Sequence, residues 1–409
     1  MPRIRELGFY ESELPPGPRN AISDVAGVTV GHSTLIRGEG AADSNWRPGH
    51  GPFRTGVTVI LPHGGNLYEQ KVVAAVHTIN GYGKPIGFEQ VRELGVIESP
   101  IALTGTLNAP RVADALITLA VEQNNHIGVG FAATGYRGYA SVNPIVGETN
   151  DGYLSDLQGR PVGLAEVRAA LAAASTEVTE GAVGAGTGTS CYGWKGGIGT
   201  ASRVLPGEAG GYTVGVLVQS NFGRAEELTV CGVRVGKLLC PPEKGAGKTA
   251  GEQGRKGAGE KEALFTPAPL PPRSPASLPP RSPASPAGSI MIVLATDAPL
   301  EARGLGRLAR RVALGLARTG HTGHGSSGDF VIAFSTAQSI ADRPQRLVAR
   351  TVIDEQPILD WLALAVVESV EEAVYNSMLM ARTVVGRNEH VRYGLPGEEV
   401  ARIVGRPRP

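Results

Sequence analysis

The segment RSPASPAGSIMIVLATD, residues 281–297, joins two kinds of chain that do not belong in one structure. Up to Gly288 it is proline, alanine and serine with no core-forming period. From Ser289 it becomes the apolar run SIMIVLAT, with the length and β-branched content of a strand buried on both faces. The polar side of this boundary starts at residue 241. It opens PPEKGAGKTAGEQGRKGAGEKE and contains a duplicated octamer, LPPRSPAS at 270–277 and again at 278–285. Eleven of the chain's 30 prolines lie in residues 241–288. Such a tract buries too little apolar area to offset its ordering entropy, so it is expected to be disordered. A structureless loop this long inside a compact domain needs a reason. A linker between two domains would be one. The strand that follows reads as central, however, so residues 1–240 and 289–409 are expected to form one domain around the tract.

Other short apolar runs read as strands: GVTVIL at 56–61, IGVGFAA at 127–133, YTVGVLVQ at 212–219 and DFVIAFS at 329–335. Helical periods cover 109–123, 163–174, 300–318 and 357–383. Strands and helices mix without strict βαβ alternation, so an α+β layered fold is expected. The formal net charge of +1 gives no reason to expect nucleic acid or an anionic membrane as partner. MPRIRELGFYESELPPGP lacks the apolar core of a signal peptide, and no window of about 18 apolar residues is present. A soluble cytoplasmic protein is the expectation. Three cysteines, Cys191, Cys231 and Cys240, make no disulfide framework and no CxxC pair, and are read as buried or partly buried thiols.

The Gly288-Ser289 bond has a chemistry that would explain the tract. A serine hydroxyl can attack the preceding carbonyl and form an ester, and glycine leaves that carbonyl least hindered. Hydrolysis would free Ser289 as a new N-terminus. It would then hold a hydroxyl nucleophile and an α-amine, which titrates near ~7.7–8.0 and suits a general base at neutral pH. A disordered tract upstream would let the cut end leave without disturbing the fold.

The chain here resembles the self-processing serine aminopeptidases that include L-aminopeptidase/D-esterase and the β-peptidyl aminopeptidases. The resemblance is carried by SIMIVLATDAPL after the Gly-Ser bond and by RNAISDVAGVTVGHSTL (19–35), IVGETNDGYLSD (145–156), GAVGAGTGTSCYGWKGGIGTASR (181–203), VQSNFG (218–223) and HGSSGDFVIAFSTA (324–337). It covers almost everything but 241–288, which is longer than the usual segment before the cut. It implies a four-layer α-β-β-α sandwich like that of N-terminal-nucleophile hydrolases, with different connectivity, and a homo-oligomer of processed two-chain units. It implies Ser289 as nucleophile, Asn221 as an oxyanion donor and Tyr153 as a catalytic or oxyanion contributor. Ser327 and Asp329, spaced to face one side of an extended chain, would hold the Ser289 amine. Glu148 would bind the substrate amine. The expected substrates are small peptides, amino-acid amides and esters, and no cofactor or metal is expected.

Unaided, Asn221, Glu148 and Tyr153 read as turn residues, and Ser327 and Asp329 as polarity at a strand entry. Gly247-Lys248-Thr249 imitates a phosphate-binding loop, but Pro242 stands where the pattern needs glycine. The Gly-rich run 181–199 lacks the context of a dinucleotide site and suggests close backbone packing. His321 and His324 have no third ligand nearby in sequence. Two rivals to the aminopeptidase remain: an acyltransferase of similar architecture, whose relatives usually present threonine as nucleophile, and a non-catalytic binding or assembly protein.

Overall fold

The computed structural model describes residues 1–39, 47–129, 140–242, 288–342, 350–353 and 356–405. Strands β1 (Thr29–Arg37), β2 (Phe53–Leu61), β5 (Ile101–Gly105) and β6 (Ile145–Thr149) form a sheet in the order β1-β2-β5-β6. A six-stranded sheet lies over it. Its members are β3 (Gln70–Gly81), β4 (Val96–Ile97), β9 (Ile198–Val204), β10 (Thr213–Asn221), β11 (Ser289–Thr296) and β12 (Gly328–Ala341), in the order β4-β3-β12-β11-β10-β9. Between β6 and β9 a small hairpin pairs β7 (Ser190–Cys191) with β8 (Trp194–Lys195). The α-helices of the described residues are α1 (Phe88–Leu94), α2 (Ala109–Gln123), α3 (Leu164–Ala172), α4 (Ala302–Arg318), α5 (Gln356–Leu379) and α6 (Gly397–Val404). Helices α4 and α5 cover the outer face of the larger sheet; α2 and α3 cover the smaller. The fold is thus α+β, in four layers α-β-β-α.

Strand β11 shows why the sequence must read as it does. Ile290, Ile292 and Leu294 point into the layer beneath α4 and α5, beside Leu308, Val312 and Val370. Met291, Val293 and Ala295 point into the layer between the sheets, beside Ile60, Leu103 and Ile145. Alternating side chains meet two different cores, so the run has no polar phase. Each large apolar side chain buried this way contributes about 1.5–3 kcal/mol gross, so five of them give on the order of 10 kcal/mol. The strand is also hydrogen-bonded along its length, antiparallel to β10 and parallel to β12. A chain end created at Ser289 would stay in place.

Helix α4 keeps Leu305, Leu308, Ala309, Val312 and Leu316 buried at spacings of three and four, as its sequence period requires. Helix α5 is buried over most of its length and includes charge. Arg203 is fully buried between Glu368, at 3.0 Å, and Glu372, at 2.8 Å, and Arg5 binds Glu372 at 2.9 Å. Removing Arg203 would leave the Glu368 carboxylate buried without the cation it pairs with. The set ties the N-terminal residues to the central helix.

The strand expected at 127–133 is not formed in its described part. Ile127 and Gly128 lie in a turn after α2, where Ile127 N donates to Asn124 O and Gly128 takes φ +77°. Gly128 N also donates to Ala140 O at 2.8 Å, but no strand ladder forms among the described residues. Residues 130–133, Gly247–Thr249 and positions 243–287 of the low-complexity tract lie outside the described residues. Cys191 is buried and Cys231 half-buried, but Cys240 is exposed, because it sits at the rim just before that tract. No helix among the described residues is long and apolar enough to cross a membrane.

Candidate active site

Ser289 is the first residue of β11 and pairs with Asn221, the last of β10, and with Gly328, the first of β12. Three strand ends therefore meet at Ser289. Ser289 is 6% exposed, and its Oγ donates to Gly288 O at 2.7 Å, so the hydroxyl lies against the carbonyl of the bond it would attack. The same carbonyl accepts Gly328 N at 3.2 Å, which polarises it. Gly288 is sterically required: a Cβ there would sit 2.7 Å from Phe222 Cα.

Asn221 is held by two backbone groups. Ser190 N donates to its Oδ1 at 2.8 Å, and its Nδ2 donates to Asn150 O at 3.0 Å. A donor on one side and an acceptor on the other fix which way the amide points. One Nδ2 hydrogen is occupied, leaving the second to meet an oxyanion.

Ser327 and Asp329 are brought together on the other side of Ser289. Ser327 Oγ donates to Asp329 Oδ1 at 2.5 Å, and both residues are buried. They flank Gly328, the register partner of Ser289. The i, i+2 spacing placed both side chains on one face, as expected of an extended chain. The second carboxylate oxygen, Oδ2, binds His321 Nε2 at 2.9 Å.

A cleft of about 430 Å³ opens on Ser289, lined by Gly81 to Lys84, Thr106, Glu148 and Asn150. Glu148 is in β6 rather than in a turn, and is 4% exposed. Its Oε1 accepts Lys84 N at 3.0 Å, with the Lys84 ammonium 3.5 Å away and donating to Thr106. Gly83 keeps the cleft open, since a Cβ there would lie 2.7 Å from the Phe330 ring and 3.2 Å from Glu148 Oε1. The cleft thus brings the Glu148 carboxylate and the Ser289 hydroxyl to one space.

Tyr153 lies against His390 and Arg392. It lines a neighbouring cleft of about 350 Å³ with Gly193, Pro241, Glu389 and Arg392. Its ring stacks on His390 at 4.4 Å, and the Arg392 guanidinium lies 3.5 Å from its centroid. Ser190 joins the two regions: its N holds Asn221, and its Oγ accepts Arg392 Nε at 2.9 Å.

Two buried ionisable groups lie close behind. Burial pushes the Asp151 carboxyl up to about 6, and pushes the Lys195 ammonium down to about 7, each opposed by the charge of the other. Lys195 Nζ donates to the carbonyls of Gly186, Thr189 and Gly196 at 2.7–2.9 Å. It therefore pins the loop that presents Ser190 to Asn221. Lys84, Asn150, Ser190, Lys195 and His321 surround this region without a signal in the sequence that assigns them to it. Only the Gly-rich spacing of 181–199 pointed to close packing there, and a lone lysine or serine inside such a run carries no chemical signal.

A family model for peptidase family S58 matches residues 20–392. The β-peptidyl aminopeptidase BapA of Sphingosinicella xenopeptidilytica is 38% identical over 406 residues, covering 98% of this chain and 91% of that protein. The PH0078 protein of Pyrococcus horikoshii OT3 superposes with a TM-score of 0.83 at 43% identity, covering 99% of each chain. An L-aminopeptidase D-Ala-esterase/amidase of Ochrobactrum anthropi superposes with a TM-score of 0.79 at 34% identity, over 99% of this chain and 98% of that one. It is described as a prototype of the serine aminopeptidases and a new variant of the Ntn hydrolase fold. With matches over nearly its whole length in both sequence and structure, the chain belongs to peptidase family S58.

Proposed function

We propose that this aminopeptidase cuts itself between Gly288 and Ser289 and then works through Ser289 as an N-terminal nucleophile. The observation that carries the reading is the position of Ser289: the head of a central strand, at a cleft, with Asn221 on one side and the Ser327–Asp329 pair on the other. After cleavage, residues 1–288 and 289–409 remain one catalytic domain. The Ser289 α-amine takes the proton of its own Oγ as that oxygen adds to the substrate carbonyl carbon. The second Nδ2–H of Asn221 meets the oxyanion, an effect worth about 3 kcal/mol in comparable sites. Collapse returns the proton to the leaving amine or alcohol and leaves an ester on Ser289. Water, deprotonated by the same amine, then hydrolyses the ester.

Glu148 binds the substrate's free ammonium through Oε2, because Oε1 is taken by Lys84. That makes the substrates small peptides, amides or esters with a free amine near the scissile carbonyl. The names of the relatives support both α- and β-amino acyl groups as test substrates. Tyr153 contributes from the adjoining cleft, through Arg392 and Ser190, to the placement of Asn221. The working form is a cytoplasmic homo-oligomer of two-chain units, and the mechanism calls on no metal or cofactor.

The test uses purified protein with paired p-nitroanilides of α- and β-amino acids, free and N-acetylated. Release from the free-amine members alone, lost in Ser289→Ala, is expected. Equal release from the acetylated members would overturn the assignment of Glu148. Release by Ser289→Ala would overturn that of the nucleophile.

A further inference from the structure

The buried chain beyond Ser327 does not end at Asp329. His321, 8% exposed, lies in the loop before β12 with its Nε2 2.9 Å from Asp329 Oδ2. Its ring packs edge-on against Phe222, the residue after Asn221, with centroids 4.8 Å apart. A carboxylate only accepts, so the proton of this hydrogen bond belongs to His321 Nε2. The other ring nitrogen, Nδ1, is buried with no hydrogen-bond partner among the described residues. The Nε2–H tautomer therefore suits the site, since it leaves no buried N–H unpaired. Among the described residues His324 lies beside the ring, with centroids 6.4 Å apart, and Glu227 binds His324 at 3.0 Å. Tyr192 also packs on Phe222, and its hydroxyl is held by Thr319.

We propose that His321 is a positioning residue for the Ser289 amine: its Nε2–H anchors Asp329 and draws off part of the negative charge that Asp329 presents through Ser327. The inference rests on the N-terminal-nucleophile reading of Ser289. The amine must be neutral to act as base. A carboxylate shared with Ser327 alone would make the Ser327 oxygen a stronger acceptor and hold the ammonium form to higher pH. The hydrogen bond from His321 limits that effect and fixes the carboxylate so that Oδ1 stays on Ser327.

The experiment follows kcat/KM against pH on the processed protein with an amino-acid p-nitroanilide. His321→Phe keeps the ring against Phe222 and removes the donor; His321→Gln carries an amide N–H to about the Nε2 position. His321→Phe should move the acid limb up by roughly 0.5–1 pH unit and lower the plateau about tenfold. His321→Gln should restore the limb and most of the plateau. A profile for His321→Phe that superposes on the parent would overturn the proposal. So would two variants equally impaired with the limb unmoved, which is the mark of a merely structural role. If His321→Phe does not fold, imidazole ¹⁵N shifts of the unsubstituted processed protein decide: an Nε2–H tautomer supports the proposal and an Nδ1–H tautomer overturns it. An active Ser289→Ala protein would instead remove the amine reading itself, whatever the His321 variants do.

Discussion

Asn221 and Ser289 face each other as register partners at the open end of the β10–β11 pair. The residue that would be cut free and the residue that would hold the oxyanion thus belong to one antiparallel ladder. That ladder is independent of the bond between Gly288 and Ser289, so the alignment is available both before and after cleavage.

Asn221→Ala should lower kcat by about 10²–10³-fold with KM within about threefold, because its amide is aimed at charge that develops only in the transition state. It also leaves Ser190 N and Asn150 O unpaired, so a stability loss of about 1–3 kcal/mol is expected in urea unfolding. Steady-state kinetics on folded protein separate the two effects. A change confined to KM would contradict the role.

Glu148→Gln keeps the shape of the cleft and removes its carboxylate charge. The variant should lose about 10–100-fold in kcat/KM toward free-amine substrates and little toward analogues with hydroxyl in place of the amine. The measurement is the ratio of the two. An unchanged ratio would place the substrate amine elsewhere.

Gly288→Ala pushes a Cβ to 2.7 Å from Phe222 Cα and 3.1 Å from Asn221 O, so the scissile peptide must shift away from the hydroxyl. Cleavage, followed by gel densitometry after synthesis, should slow at least about tenfold. Activity per cleaved molecule should stay within about twofold of the parent, since Ser289 and everything after it are unaltered. Unslowed cleavage would mean that the preceding carbonyl is not held where the structure puts it.

Much of this site was legible in the sequence, for identifiable reasons. Strand β11 could be read to the residue because two cores remove every polar position from it. Ser327 and Asp329 could be paired because strand geometry sets i, i+2 on one face. Helices α2, α4 and α5 follow apolar periods and begin within a residue or two of where those periods do. The strands rich in Gly, Thr and His, such as β1, TVGHSTLIR, and β9, IGTASRV, carried no such signal, because packing against neighbours decides them. The partners of Asn221 were invisible for another reason: both are backbone groups, 31 and 71 residues away. Sequence types reveal side-chain chemistry, and Ser190 N and Asn150 O have none. Tyr153 is another case, a side chain marked by the resemblance and not by its own surroundings in sequence, and it lines a second cleft.

His32 gives a prediction about pH. Burial pushes its imidazole down to about 4, opposed by a hydrogen bond with the Thr179 backbone. Between that value and the ordinary ~6.5, the unfolded chain binds more protons than the folded one. Stability is therefore intact above about pH 6.5 and falls as the pH drops toward 4, by about 2–3 kcal/mol from this residue. His32→Asn should lose that part of the pH dependence, so the stability difference between parent and variant in urea unfolding should change by about 2–3 kcal/mol between pH 7 and pH 4.5. A constant difference across the range would contradict it.

The central claim is that Ser289 acquires a free amine by cutting its own chain. The most direct measurement is the denatured mass of the purified protein beside Ser289→Ala. The account predicts two chains in the parent, the smaller beginning at Ser289, and one chain of full length in the variant. A single uncut chain in both, or a cut in the variant at the same bond, would contradict it.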